Sequence, residues 1–369
     1  MPPIYLLIKP ASGRCNLRCR YCFYVDETQS RETADYGMMT LDTMETIIQK
    51  ALEYATDRCS FGFQGGEPTL RGIDFYREVV SLQKKHNVRK IHIENSMQTN
   101  GLLLDDDWAA FLAREKFLVG LSIDGTASIH NKNRVDALGA GTLRRVMDTA
   151  TLLIRHLVNF NVLTVVTNDT AKKIEMIYDF FMEKGLAWQQ YIPCLDSIGK
   201  ESVWLTPEYY TLFLKTLFAR WAQDIMNGRF IYIRQFENYI GMMLHKPAES
   251  CGMMGHCAVQ YVIEADGSVY PCDFYALDSY RLGNIVSDSF GQLNKKRTES
   301  RFIEESYEEN AVCRVCTYFP LCRGGCRRDR DYGGGLQRNR FCASYKAFFA
   351  YALPILQTIA DRCVRINQT

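Results

Sequence analysis

Three cysteines near the start of the sequence, Cys15, Cys19 and Cys22, have the spacing of ligands for one soft metal centre. They form a C-x3-C-x2-C pattern with aromatic residues on both sides of the last cysteine. Iron–sulfur clusters are held by cysteine thiolates, and a four-iron cubane takes four ligands. The next cysteine is Cys59, so one iron is left with an open site for a cofactor or substrate. A zinc knuckle with a distant fourth ligand is the alternative.

A second group of cysteines lies in the last third of the sequence, and its eight thiolates suffice for two fully ligated four-iron clusters. Spacing alone groups four of them, in the pattern C-x2-C-x5-C-x3-C. A pair of zinc ribbons is the alternative. The remaining three of the 14 cysteines are expected to be small buried hydrophobic residues. The eight are Cys251, Cys257, Cys272, Cys313, Cys316, Cys322, Cys326 and Cys342, and the remaining three are Cys59, Cys194 and Cys363.

The composition is that of an ordinary globular protein and narrows the class of function. The chain has 369 residues, 47% of them apolar, and its net charge of +2 argues against nucleic acid as a partner. No apolar run approaches the length of a membrane span, and the first residues do not resemble a signal peptide. Clustered cysteines in such a chain favour metal or catalytic roles over disulfides. The expected location is therefore cytoplasmic, without a membrane partner.

Strand-like and helix-like segments alternate through the first two thirds of the chain in about six β/α units. This alternation favours parallel strands with helical crossovers. Polar and glycine-rich sequences follow the strands, where the C-terminal ends of strands in a barrel build an active site. The predicted elements are strand 4–9, helix 41–55 with Thr40 as its N-cap, strand 60–64, helix 73–86, strand 90–98, helix 105–115, strand 117–123, helix 141–157, strand 160–167, helix 171–184, strand 188–195 and helices 207–227 and 236–245.

The remaining third changes in character and becomes rich in cysteine, glycine and turns. Segments 259–264 and 268–270 predict a hairpin around Ala265-Asp266-Gly267. A final helix is predicted from 341 to 364. We therefore divide the chain into residues 1–235, 236–342 and 343–369.

The first cysteine motif resembles that of the radical SAM superfamily, and Gly65-Gly66-Glu67-Pro68 resembles the superfamily's GGEP sequence. The resemblance implies an α/β fold, a partial (β/α)6 radical SAM barrel. It also implies a [4Fe-4S] cluster whose open iron binds S-adenosyl-L-methionine and cleaves it to a radical. Contacts to this cofactor are implied for Tyr21, Gly66, Ser122, Arg134 and Leu195. Tyr24, Gln64, Gln98 and Asn100 are expected at the same mouth, near a substrate.

The second cysteine group resembles the SPASM domain, which follows the barrel in radical SAM enzymes that modify peptides. The resemblance implies a C-terminal SPASM domain carrying two auxiliary iron–sulfur clusters, and thus three [4Fe-4S] clusters in total. The implied ligand sets interleave and differ from the grouping by spacing. They are Cys251, Cys257, Cys272 and Cys326 for the first auxiliary cluster, and Cys313, Cys316, Cys322 and Cys342 for the second.

The chain as a whole resembles the anaerobic sulfatase-maturating enzymes, through motifs that include Lys9-Pro10-Ala11-Ser12, Gln98-Thr99-Asn100-Gly101 and the run from Asp266 to Tyr275. These enzymes oxidise a Cys or Ser in a C/S-x-P-x-R segment of a sulfatase to Cα-formylglycine. The reaction needs hydrogen abstraction from the substrate Cβ, a base for the thiol or hydroxyl proton, and an electron acceptor. Asp273 is the predicted base, with an aspartate that caps a turn as the alternative. The auxiliary clusters are the implied electron acceptors.

The implied partners are a sulfatase polypeptide or another peptide substrate, and an electron donor such as flavodoxin or ferredoxin. Two other functions remain open at this point. One is a SPASM peptide maturase that forms a crosslink or an epimer in another ribosomal peptide. The other is a non-catalytic electron carrier or zinc-binding protein.

Overall fold

The computed structural model describes residues 3–197, 204–331 and 337–366, with the side chain of residue 366 excepted. The strands found there are β1 (Ile4–Ile8), β2 (Arg58–Phe63), β3 (His92–Thr99), β4 (Leu118–Ser122), β5 (Phe160–Val166), β6 (Trp188–Pro193), β7 (Tyr232–Ile233), β8 (Tyr261–Ile263), β9 (Ser268–Tyr270) and β10 (Gly283–Asn284). The α-helices found there are Phe23–Gln29, Leu41–Tyr54, Ile73–His86, Asp106–Arg114, Ala127–Asn133, Leu143–Arg155, Asn168–Lys172, Ile174–Glu183, Pro207–Met226, Arg234–Met243, Cys251–Met254, Phe290–Glu299, Ala311–Arg314, Phe319–Cys322 and Cys342–Ile366.

The helices begin where local chemistry favours them. The Thr40 side chain accepts a hydrogen bond from the Thr43 amide at the start of Leu41–Tyr54, which confirms the predicted N-cap. Asp105 caps Asp106–Arg114 in the same way, and two aspartates in its first turn suit the helix dipole. Each of these helices buries one apolar face, because its hydrophobic residues recur three or four positions apart.

The first of two compact units consists of residues 1–123, 130–160 and 259–302. Its strands lie in the order β10-β9-β8-β1-β2-β3-β4, and β8, β1, β2, β3 and β4 run parallel. Strands β8 and β9 form the predicted antiparallel hairpin. The register pairs Ile8 with both Phe63 and Ile263, so the residues after these strands emerge at one edge of the sheet.

The second unit consists of residues 124–129, 161–258 and 303–369. Its strands β5, β6 and β7 run parallel in that order. Helices Pro207–Met226 and Cys342–Ile366 pack through aromatic side chains, with the rings of Phe218 and Phe348 centred 5.4 Å apart. No helix among the described residues combines the length and apolar character needed to cross a membrane.

The two units interleave along the chain. The domain boundaries that we predicted after residues 235 and 342 stay a prediction. Residues 367–369 of the predicted C-terminal segment lie outside the described residues.

Glu237 in the second unit gives a prediction on the pH dependence of stability. Partial burial, and after it the charge of Glu249, raise the pKa of Glu237 from 4.5 to about 7. Tyr232 and Arg234 both bind Glu249 rather than Glu237. A carboxyl group with a higher pKa in the folded state binds its proton more tightly there, so the protein loses stability as the pH rises from 4.5 to about 7.

We therefore expect Glu237→Gln to raise the unfolding temperature at pH 8 and to leave it unchanged at pH 4, below both pKa values. A pKa shift of this size corresponds to roughly 3 kcal/mol of unfolding free energy for a fully buried group. Because solvent screens the half-buried Glu237, we expect about 1 to 2 kcal/mol. Calorimetry under anaerobic conditions at both pH values measures the difference. An equal change at pH 4 and pH 8 would contradict the assignment.

Candidate active site

The three cysteines of the first motif lie in a loop between β1 and helix Phe23–Gln29. A neighbouring segment holds this loop through its backbone. The amide of Arg18 donates to the carbonyl of Val135 over 2.7 Å, and the amide of Arg20 donates to that of Asn133 over 3.0 Å. The loop conformation is therefore set by backbone hydrogen bonds as well as by any bound metal.

The Cys15 sulfur has the surroundings of a metal ligand. It accepts a hydrogen bond from the Leu17 amide over 3.3 Å, and the Asn100 side chain lies 3.8 Å away as a second donor. Burial, followed by the charges of Glu67 and the other two thiols, raises the pKa of Cys15 to about 12. A bare thiolate is thus disfavoured, whereas a cation that displaces the proton would be stabilised by the same thiols. The chemistry of this donor set therefore fits an iron–sulfur cluster.

The glycines after β2 let the chain pack against the cysteine loop. The Gly66 amide donates to the Ser12 carbonyl over 2.9 Å, and a Cβ atom on Gly66 would lie 2.0 Å from the Arg14 carbonyl oxygen. No other residue therefore fits at position 66 without moving the loop. Glu67 is 1% exposed, and its carboxylate accepts hydrogen bonds from Thr69, Thr99 and the Asn100 amide. Glu67 thus ties this turn to the end of β3.

The residues predicted to contact S-adenosylmethionine are distributed over both units. In the first unit, the Arg134 guanidinium lies 5.5 Å from the centre of the Tyr21 ring, and both residues are buried. The Ser122 hydroxyl accepts a hydrogen bond from the Gln98 side chain over 3.0 Å. Leu195 lies in the second unit, half-buried after β6. Their roles toward the cofactor stay predictions.

Asp273 begins the short 3-10 helix Asp273–Tyr275, directly after Cys272. Its carboxylate is held at both oxygens. The Lys9 ammonium lies 2.7 Å from Oδ1, and the Gln64 side chain donates to Oδ2 over 2.6 Å. Both partners follow strands whose ends meet at one edge of the sheet. These contacts link the carboxylate to the ends of two strands, and its role as a base stays a prediction.

Three residues that the sequence reasoning did not assign to the site, Lys9, Arg31 and Glu264, form a buried charge cluster with Asp273. We use this name for Lys9, Arg31, Glu264 and Asp273, two cations and two carboxylates. The Arg31 guanidinium donates to Glu264 over 2.8 Å, and the Tyr24 hydroxyl also donates to Glu264. Burial, and next the charge of Glu264, raise the pKa of Tyr24 well above its usual value. Tyr24 is therefore a hydrogen-bond donor here rather than a base.

A weak signal for two of these residues was present in the sequence. Lys9 and Glu264 are charged residues of opposite sign, and each follows an apolar run that forms a strand. Such residues at adjacent strand ends are expected to lie close together. Arg31 gave no comparable signal, because it lies in a polar stretch after the cysteine loop.

Four cysteines of the second unit lie around one small cavity, which is lined by Cys313, Cys316, Cys322 and Cys342. Residues 322–326 form a tight loop in which Arg323, Gly324 and Gly325 all have positive φ. Burial is the main cause that raises the pKa of Cys322 to about 11. The set matches the one implied by resemblance for the second auxiliary cluster, rather than the one suggested by spacing.

Cys326 lies instead near Cys251 and Cys257. A Cβ atom on Gly252 would lie 3.5 Å from that of Cys326, and burial is the main cause that raises the pKa of the Cys326 thiol. Cys272, the fourth residue of the implied set, lies in the first unit beside Asp273. The assignment of all four to one cluster stays a prediction.

No three His, Cys, Asp or Glu side chains among residues 3–197, 204–331 and 337–366 converge closely enough to hold a single metal ion. A cubane differs from a single ion because each of its four irons takes its own cysteine. The cysteine groups are therefore candidate ligands of clusters rather than of single metal ions.

Comparison with family models gives two matches. Residues 10–181 match the model described as the radical SAM superfamily. Residues 251–317 match SPASM, described as an iron–sulfur cluster-binding domain. The first match includes the cysteine loop and the GGEP turn, and the second includes five of the eight later cysteines.

Individual relatives match over nearly the whole chain. The cysteine-type anaerobic sulfatase-maturating enzyme of Clostridium perfringens is 46% identical, over 98% of this chain and 99% of the relative. A serine-type anaerobic sulfatase-maturating enzyme of Bacteroides thetaiotaomicron is 30% identical, over 96% of this chain and 90% of the relative. The solved structure of native anSMEcpe with bound AdoMet and the Kp18Cys peptide superposes with a TM-score of 0.94 at 45% identity, and covers 98% of this chain and 100% of that chain.

Proposed function

The chain belongs to the cysteine-type anaerobic sulfatase-maturating enzymes of the radical SAM superfamily, and on this premise we propose that it oxidises a cysteine of a sulfatase to Cα-formylglycine. The observation that carries the proposal is the 46% identity over nearly the full length of a cysteine-type enzyme. Two serine-type relatives are more distant, at 30% and 28% identity. The predicted family, fold class and enzyme type are confirmed.

The proposed cofactors are S-adenosylmethionine and three [4Fe-4S] clusters. Cys15, Cys19 and Cys22 would hold the radical cluster, and the two interleaved sets of four cysteines would hold the auxiliary clusters. When bound, these groups supply a 5′-deoxyadenosyl radical that takes a hydrogen atom from the substrate Cβ, and an acceptor for the electron that remains. The residues that would contact S-adenosylmethionine are Tyr21, Gly66, Ser122, Arg134 and Leu195.

Asp273 is the residue that we propose as general base. Its carboxylate would accept the thiol proton of the substrate cysteine as the carbon–sulfur bond becomes a double bond. Water would then hydrolyse this thioaldehyde to the aldehyde of Cα-formylglycine and release hydrogen sulfide. The side chain is 11% exposed, so a small part of its surface is open to a substrate. Gln64 and Lys9 hold its oxygens, and a carboxylate held in this way does not have to be reoriented during the reaction.

The proposed substrate is a C-x-P-x-R segment of a sulfatase, and the proposed electron donor is a protein such as flavodoxin or ferredoxin. The peptide-bound structure of anSMEcpe supports a peptide substrate for the family. We propose the anaerobic cytosol as the place of reaction, because low-potential clusters decay in oxygen.

The test uses reconstituted, reduced protein and S-adenosylmethionine with two synthetic peptides, one Cys-x-Pro-x-Arg and one Ser-x-Pro-x-Arg. We expect an aldehyde from the cysteine peptide, together with 5′-deoxyadenosine, and at least about tenfold less from the serine peptide. Mass spectrometry measures both products. Deoxyadenosine without any peptide aldehyde would overturn the substrate and point to a maturase of another peptide.

A further inference from the structure

Lys9 follows the first strand, and its side chain is fully buried. The residue is 0% exposed, and its amide continues the pairing beyond β1 by donating to the Ile263 carbonyl over 2.8 Å. Lysine is almost never fully buried without a partner, because its ammonium loses its hydration. A buried lysine at the active-site end of a strand therefore calls for a specific partner.

The close partner of Lys9 is the candidate base. The ammonium lies 2.7 Å from Oδ1 of Asp273 but 4.0 Å from Oε1 of Glu264. The contact with Asp273 lacks the alignment of a directed hydrogen bond, so Lys9 acts on Oδ1 as a close positive charge. Gln64 donates to Oδ2, so the two contacts together restrict rotation of the carboxylate.

The side chain of Lys9 is packed closely on two sides. A Cβ atom on Gly65 would lie 3.0 Å from the Lys9 Cβ and 3.1 Å from its Cγ, so the glycine makes room for the side chain. Gly65 also has a φ of 113°, a conformation that other residues rarely adopt. On the other side, the ammonium lies 3.5 Å from the centre of the Tyr24 ring.

A purely structural role would be to neutralise Glu264, but other groups already do this. Arg31 donates to Glu264 over 2.8 Å, and the Tyr24 hydroxyl is a second donor. The buried charge cluster therefore divides into two pairs, Arg31 with Glu264 and Lys9 with Asp273. The charge of Lys9 is directed at the residue that acts on the substrate.

We propose that Lys9 is a positioning residue that holds the carboxylate of Asp273 where it accepts the substrate's thiol proton. The proposal rests on the function proposed above. Without Lys9 the carboxylate can rotate away from the thiol, so hydrogen abstraction at Cβ is no longer followed by loss of the S–H proton. Deoxyadenosine then forms without the aldehyde, and the two products become uncoupled.

The test is a double-mutant cycle of Lys9→Met and Asp273→Asn in the full-length, cluster-loaded protein with the cysteine peptide. We expect Lys9→Met to lower the aldehyde formed per deoxyadenosine about tenfold, mainly through kcat, with the KM for the peptide little changed. In the Asp273→Asn background, Lys9→Met is expected to have no further effect on this ratio. Iron content and peptide affinity, measured by fluorescence anisotropy, show whether each variant is intact.

Lys50→Met is the matched control, because Lys50 lies in the same unit and donates to the carbonyls of Ile285, Val286 and Asp288, outside the buried charge cluster. It is expected to keep the wild-type ratio. A wild-type ratio in Lys9→Met, or an equal fall of both products that persists in the Asp273→Asn background, overturns the proposal for Lys9. If Lys9→Met does not fold, Lys9→Gln replaces it under the same criteria. No aldehyde from the wild-type protein would instead overturn the proposed function.

Discussion

Asp273→Asn is expected to lower aldehyde formation from the cysteine peptide by about 10² to 10⁴-fold, while 5′-deoxyadenosine is still produced. Asparagine has nearly the same shape but cannot accept the thiol proton. Hydrogen abstraction does not depend on this proton transfer, so it continues. Mass spectrometry of peptide and deoxyadenosine from the same reaction measures both effects.

The same substitution has a structural effect that must be separated from the catalytic one. Among the described residues, Asp273 is the only one with a carboxylate within 3 Å of the buried Lys9 ammonium, since Glu264 lies 4.0 Å away, and Asp273→Asn removes this charge. Leaving one partner of a buried ion pair without its counter-charge costs about 3 to 5 kcal/mol. We therefore expect a lower unfolding temperature as well as lost activity, and loss of activity alone does not identify the base.

Two controls separate these effects. Lys9→Met/Asp273→Asn removes both charges, so its unfolding temperature is expected to lie above that of Asp273→Asn while its aldehyde formation stays as low as in Asp273→Asn. Asp278→Asn changes a nearby aspartate that accepts a hydrogen bond from the Glu32 amide, and it is expected to keep both products. Recovery of the aldehyde in the double variant would show that Asp273 is not the base.

The order of strands and helices was largely predictable from the sequence, because hydrophobic periodicity and turn residues are local signals. Helix Ile73–His86 has the predicted bounds, and most other elements differ by one or two residues. The predicted helix 171–184 is divided at Lys173 into Asn168–Lys172 and Ile174–Glu183. Helix Phe23–Gln29 was missed, because it is short and begins directly after a cysteine ligand motif.

The contacts that orient the site were not predictable from local patterns. Lys9 and Asp273 are 264 positions apart, and they meet because β8 pairs with β1. A periodicity argument gives a strand but not its neighbour in the sheet. Since β8 comes after all the strands of the barrel-like alternation, nothing in the spacing placed it beside β1.

The cysteines show the same limit. Spacing groups Cys326 with the three cysteines that precede it, because residues close in sequence are usually close in space. Two glycines with positive φ between Cys322 and Cys326 turn the chain, and Cys342 lines the cavity of the other three instead. The resemblance to a known family implies this grouping, whereas the spacing does not, and the assignment of the cysteines as cluster ligands stays a prediction.

Replacement of Cys15, Cys19 and Cys22 by alanine together is expected to abolish 5′-deoxyadenosine formation completely. These thiols are the proposed ligands of the radical cluster, and without it no group can reduce S-adenosylmethionine. Iron content is expected to fall from about twelve to about eight per chain, because the two auxiliary clusters have separate ligands. Iron analysis and deoxyadenosine assays after anaerobic reconstitution measure the two effects independently.

Cys59→Ala is the matched control for this loss. Cys59 is a fully buried cysteine in β2 of the same unit, outside both cysteine groups. It is expected to keep about twelve irons and full deoxyadenosine formation, at a modest cost in stability from the small cavity. Deoxyadenosine formed by the triple variant would contradict the assignment of the first motif. A triple variant that kept about twelve irons would contradict it too, because it would place the third cluster on other residues.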